Sequence, residues 1–159
     1  MLDSISPLTK TDRTASRSVK LYSKRWPDRV GDAIFRLLAF IGVGPASLLT
    51  TTGHRTGQLR STPVIPVKQG YRQWLVSPYG EVSWLLNARA SGEVILRRGR
   101  NVCAFTVREI SAAEAGPILK QYIAVASATR PYFRSDKDAP ISEFIAEAEL
   151  HPVLELTRK

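Results

Sequence analysis

The spacing of apolar positions changes near residue 46 and divides the chain into two regimes. Val30, Ala33, Ile34, Leu37, Leu38 and Ile41 recur at helical intervals and give one apolar face. Pro27 and Asp28 mark the entry to this helix, with Asp28 a candidate cap, and Gly42, Gly44 and Pro45 end it. Ahead of it the chain is rich in Ser, Thr and charge, so residues 1–27 are expected to form a flexible arm and 28–159 one domain. From Ala46 the period shortens. Leu48 to Thr52 is β-rich and runs into Gly53. Ser61 to Val67 alternates around Pro63 and Pro66, which suits a single edge or bulged strand. Gln69-Gly70 is a turn before a strand over Tyr71–Ser77, and Val82 to Ala90 is a short helix. Val94–Arg97 and Val102–Arg108 flank the hairpin string Arg98-Gly99-Arg100-Asn101. Ser111 with Glu114 forms a capping box, opening a helix to about Ala126. Residues 129–140 are expected as a loop, Pro140–Leu150 as an acidic helix and Val153–Leu156 as a last strand. Short strands joined mostly by hairpins, with helices between and after them, predict an α+β fold. Its sheet is an antiparallel barrel or a strongly coiled sheet with helices packed outside.

Composition narrows this picture. With 159 residues, 43% apolar, the chain can bury a core without disulfides or a structural metal. The lone Cys103 excludes an internal disulfide, and two His with one Cys in no paired spacing argue against a metal site. The N-terminus lacks the apolar core of a secretory signal, so the expected location is cytoplasmic. The helix over 28–41 is flanked by Lys24, Arg25, Arg29 and Arg36, so it fits packing on its own domain first and a membrane surface second.

The net charge is +9 and unevenly spread. Residues 1–108 hold 17 Lys/Arg against 6 Asp/Glu, while 109–159 hold 6 against 8. A basic front suggests an anionic partner. Nucleic acid is disfavoured, because the arginines are not interleaved with aromatics and no recognised motif is present. The string Thr50-Thr51-Thr52-Gly53-His54-Arg55-Thr56-Gly57-Gln58-Leu59-Arg60 is the first candidate site. Its two glycines allow a tight turn with a run of exposed amides that would attract an oxyanion. Arg55 and Arg60 add forked cations. The same string also fits an ordinary hairpin turn with solvated arginines. The second candidate runs from Ser77 through Pro78, Tyr79 and Gly80 to Trp84, Asn87 and Arg89. There a Pro/Gly turn feeds a short helix, and amides near Pro78–Gly80 could meet the edge of a planar ring. Carboxylates are scarce before residue 109, with only Glu81 and Glu93 in the barrel-like region. Paired-carboxylate hydrolysis is therefore disfavoured, and a cofactor that carries the reaction is favoured. His54 and His151 show no catalytic pairing.

The segments LLTTTGHRTGQLRSTPV and SPYGEVSWLLNARASGEVILRRGR together resemble the deazaflavin (F420)-dependent nitroreductase family of actinobacteria. The resemblance implies a split β-barrel, coenzyme F420 (an 8-hydroxy-5-deazaflavin) and hydride transfer to a quinone, an activated enone or a nitro compound. It implies that Thr52, His54, Arg55, Thr56, Gly57 and Arg60 hold the coenzyme phosphate, with His54 where the family often has Arg. Pro63 would lie near the ring, with Ser77, Pro78, Tyr79, Gly80, Trp84 and Asn87 completing the coenzyme site. The proline of the family's P-x-W-x-x-N segment is missing here. Some relatives place C-terminal tyrosines over the acceptor; here Tyr122, Tyr132 and Phe133 are the nearby aromatics, and Arg130–Phe133 is a candidate wall of the substrate pocket. The proton would come from solvent or from a hydroxyl such as Tyr79 or Tyr132. Flavin mononucleotide on the same barrel is the runner-up cofactor. A deazaflavin- or lipid-binding protein without turnover is a further alternative. By analogy of fold, a homodimer is the expected assembly.

Overall fold

The computed structural model describes residues 44–159, together with Ala33, Arg36, Leu37, Leu38 and Gly42. Ala33 and Arg36 to Leu38 are helical. The predicted arm over 1–27 and the rest of the first helix lie outside the described residues. Seven strands follow: β1 (Ser47–Thr52), β2 (Leu59–Val64), β3 (Val67–Gln69), β4 (Arg72–Val76), β5 (Glu93–Arg98), β6 (Asn101–Glu109) and β7 (Val153–Arg158). Helix α1 (Ser83–Ser91) joins β4 to β5. Between β6 and β7 run α2 (Ala112–Val125), a 3-10 turn (Ser127–Tyr132) and α3 (Ile141–Glu147).

All pairings are antiparallel, in the order β2-β1-β5-β6-β7-β4-β3. That order forces the sheet to curl. β2 and β3 are its two edges, yet only Ile65 and Pro66 separate them in the chain. Laid flat, the outermost of seven strands would lie about 29 Å apart. The three residue steps from Val64 to Val67 reach at most about 11 Å. The edges must therefore approach without pairing, which is an α+β split barrel. This corrects the expectation of one strand over Ser61–Val67. Pro66 offers no N–H, so the chain leaves one edge after Val64 and enters the other at Val67. Pro63 does sit on an edge, opposite Leu48. Both edges are capped by side chains: Arg36 Nη2 donates to the Ser61 carbonyl (2.5 Å) and Gln121 Nε2 to the Lys68 carbonyl (3.2 Å).

Alternation along the strands sorts the core into two layers. Leu49, Leu75, Val94, Leu96, Phe105, Leu154 and Leu156 fill the barrel, with Leu85 and Ala88 of α1 packed among them. Trp74, Val76 and Val153 point the other way, against Ile118, Leu119, Tyr122, Ile123, Phe133 and Phe144. Neighbours such as Trp74 and Leu75 thus serve opposite faces, as a two-residue period requires. The Ser111–Glu114 capping box forms as expected, and the hydrogen bond from the Ser111 amide, followed by that from Arg108, holds the Glu114 carboxyl down to about 2. Two further expectations change. The loop over 129–140 begins as a 3-10 turn through Tyr132, and the last strand reaches Arg158 as an inner strand between β6 and β4. Among the described residues, no helix is long and apolar enough to cross a membrane.

Candidate functional site

The β1–β2 turn is tightly built. The Gly53 amide donates to the Gln58 carbonyl (2.8 Å), and the amides of Thr56 (3.2 Å) and Gly57 (2.7 Å) donate to the Gly53 carbonyl. A β-carbon at Gly53 would meet Thr56 Oγ1 at 2.7 Å and the Gln58 carbonyl at 3.1 Å, so any other residue there would force the turn to shift. Gly57 has a φ of 68°, the left-handed region. The His54 amide is engaged by Asn87 (3.0 Å) and the Gln58 amide by Thr56 Oγ1 (3.4 Å). These bonds correct the expectation of a run of free amides. Anion binding at this turn would fall mainly to side chains. Arg55, Thr56 and Arg60 are exposed, and among the described residues Arg55 and Arg60 form no salt bridge. Thr52 and Gly57 are exposed beside them. An exposed turn with two guanidinium groups that pair with no carboxylate among the described residues, and with a hydroxyl, fits an anionic phosphate group.

Asn87 brings the two predicted segments together. It is 3% exposed, and its Oδ1 accepts from the His54 amide and from His54 Nδ1 (2.8 Å). The Oδ1 can only accept, so His54 carries its proton on Nδ1. Asn87 Nδ2 in turn donates to the buried Thr51 Oγ1 (3.2 Å). With both ends of its amide engaged inside the protein, Asn87 fixes the turn. Arg89 belongs elsewhere. Its guanidinium bridges Glu109 (2.7 Å) and Glu81 (2.5 Å), beside an open cleft of about 280 Å³ that contains no residue of the 53–60 turn.

The Ser77–Gly80 turn is docked on the C-terminal segment. Ser77 and Pro78 are buried, and the Ser77 amide donates to the Pro152 carbonyl (2.9 Å). Ser77 Oγ donates to the Gly80 carbonyl (2.5 Å), so its hydroxyl proton stays within the turn. Tyr79 remains exposed and Trp84 half-buried against the barrel core. Pro63 is half-buried on β2. The Tyr79 and Tyr132 rings meet edge-on at 4.7 Å, so the two predicted proton donors form one unit.

Sequence reasoning passed over Glu147. It is 3% exposed and accepts from the amides of Arg134 (2.9 Å) and Ser135 (3.2 Å), fixing the chain just after Tyr132. A readable signal existed, since Phe144, Glu147 and His151 lie at helical spacing on one apolar stripe. Burial pushes the Glu147 carboxyl up, but the nearby His151 imidazole and the hydrogen bonds from Ser135 and Arg134 outweigh it and bring it down to about 2. Because the folded value lies below the unfolded one, this stabilisation is fully present above pH 4.5 and fades as pH falls toward 2. A loss of about 2 kcal/mol from this group is expected between pH 6 and pH 3. Urea unfolding at both pH values checks it, with a smaller pH effect expected in Glu147→Gln.

The family model described as F420H(2)-dependent quinone reductase matches residues 29–144. A chain solved as a domain-swapped dimer is 22% identical over 83% of this chain and 97% of its own, with a TM-score of 0.52, a likeness of fold. An F420-H2 dependent reductase is 24% identical over 71% of this chain and 94% of its own, with a TM-score of 0.46.

Proposed function

The chain belongs to the F420H2-dependent quinone reductase family, and we propose that it transfers a hydride from the reduced deazaflavin to an electron-poor acceptor. Quinones, activated enones and nitro compounds are the acceptor classes this reading covers. The observation that carries it is the tie through Asn87. An exposed turn bearing Arg55 and Arg60 is locked by a buried side chain to the helix that follows Tyr79.

When bound, the coenzyme supplies the hydride. Arg55, Arg60 and Thr56 bind the phosphate as side-chain donors. Asn87 and Thr51 hold the turn rigid, so little ordering is left for the moment of binding. Gly80, Trp84 and Pro63 would hold the ring, and the buried Ser77 and Pro78 would fix the turn that carries Tyr79 and Gly80. The Tyr79 or Tyr132 hydroxyl holds the proton that completes reduction of the acceptor. No carboxylate is needed at any of these positions.

Side-by-side equilibrium titration with coenzyme F420 and flavin mononucleotide tests the reading. Selective binding of F420 is expected. A preference for flavin mononucleotide would keep the barrel and replace the cofactor. Binding of neither would overturn the proposal.

A further inference from the structure

We propose that His151 is a positioning residue for the Tyr79–Tyr132 pair, acting through the Pro78 carbonyl on one side and Phe133 and Glu147 on the other. The inference depends on the reading above only for what the two tyrosines face.

His151 is 3% exposed and lies just beyond the last rung of the β4–β7 ladder, Val76 opposite Val153. Its Nδ1 is 3.0 Å from the Pro78 carbonyl oxygen. A carbonyl can only accept, so Nδ1 carries a proton and donates it. The ring stacks on Phe133, with centroids 3.9 Å apart and planes at 22°. Phe133 directly follows Tyr132, and Pro78 directly precedes Tyr79. One imidazole therefore grips the backbone beside one tyrosine and the ring beside the other. Glu147 extends the grip. Its Oε2 is 3.6 Å from His151 Nε2, while its two oxygens hold the amides of Arg134 and Ser135.

Packing alone does not account for this residue. His151 Nε2 is buried with no hydrogen-bond partner among the described residues. A phenyl ring would fill the same space and stack on Phe133 without burying an unpaired nitrogen. It would lack the bond to Pro78 and the approach of Nε2 to Glu147. The donor at Nδ1 is thus the feature that ties the Tyr79 turn to the Tyr132 segment.

Two variants separate donor from ring. His151→Asn keeps a donor near the Nδ1 position and loses the ring. His151→Phe keeps the ring and loses the donor. Hydrogen–deuterium exchange at the Gly80 and Val82 amides is read on the protein without coenzyme. Exchange about tenfold faster in His151→Phe and close to wild type in His151→Asn is expected. Acceptor KM should rise about tenfold in His151→Phe and be restored in His151→Asn, with F420 affinity within about twofold throughout. Wild-type rates in His151→Phe with fast exchange in His151→Asn would overturn the proposal, as would equal loss in both. Nitrogen-15 shifts of the wild-type ring decide the matter if neither variant folds. A proton on Nδ1 is expected, and a bare Nδ1 overturns the inference. If wild type binds no F420, the functional reading fails, while exchange at Gly80 and Val82 still judges the role of His151.

Discussion

Replacing Arg55 and Arg60 together by alanine is expected to weaken F420 binding by about 100-fold or more. Each guanidinium can make charge-assisted hydrogen bonds to phosphate oxygens, and such a bond contributes roughly 1.5–3 kcal/mol. That is about 10- to 100-fold per residue. The two act on one anion, so their losses need not simply add. Both side chains are exposed and, among the described residues, free of salt bridges. The folded state does not rely on them, and unfolding free energy should stay within about 0.5 kcal/mol of wild type. The paired lysine variant should fall between, because it keeps the charge and loses the planar fork. Added salt should narrow the gap between wild type and the alanine variant, since exposed charges are screened. Fluorescence titration of the bound deazaflavin measures all three proteins. Unchanged affinity in the double alanine variant would place the phosphate elsewhere and remove the main support for the site.

The parts of this molecule readable in advance are those governed by local rules. Gly99 sits in the hairpin turn expected between β5 and β6, at a φ of 58°, and the turn itself is two residues long. The Ser111–Glu114 box starts a helix where its spacing predicts one. Barrel character followed from many short strands with hairpin signals. What was not readable depended on distant partners. Nothing local in Ser61–Val67 says that its two halves belong to opposite edges of a sheet. That follows from which strands pair, and pairing is non-local. The expected last strand over Val153–Leu156 is an inner strand of the sheet, and its place too is set by non-local pairing.

The site shows the same division. Arg55 and Arg60 were found because charge and glycine spacing are local features. The expectation of free amides in that turn failed because Asn87, 33 residues from His54, takes one of them, and the turn takes others for itself. The family likeness located both segments but did not say how they meet. The spacing of Phe144, Glu147 and His151 marks one helical face, but it names no partners for the acid and the imidazole. Their role emerges only when Pro78 and Ser135 are brought to them by the fold.

Asn87→Leu is expected to destabilise the protein by about 3–4 kcal/mol and to weaken F420 binding by about tenfold. Leucine shares the branched skeleton of asparagine, so no cavity forms, although its bulkier methyl groups add some overpacking at this buried site. The larger part of the loss is polar. His54 would lose the acceptor for both its amide and its Nδ1, and the buried Thr51 hydroxyl would lose its donor. An unsatisfied buried group costs about 1–3 kcal/mol, and here the losses are partly relieved by solvent at exposed His54. The fall in affinity follows from slackening of the turn that carries Arg55, not from a lost contact with the coenzyme. A double-mutant cycle with His54→Ala separates these causes. If Asn87 works through His54, the two losses overlap and the double variant is little worse than Asn87→Leu alone. If Asn87 touched the coenzyme itself, the losses would add. Chemical denaturation and F420 titration on the four proteins of the cycle give both quantities. Additive losses in affinity would return Asn87 to the coenzyme-contacting set and weaken the view that a buried tether prepares this turn.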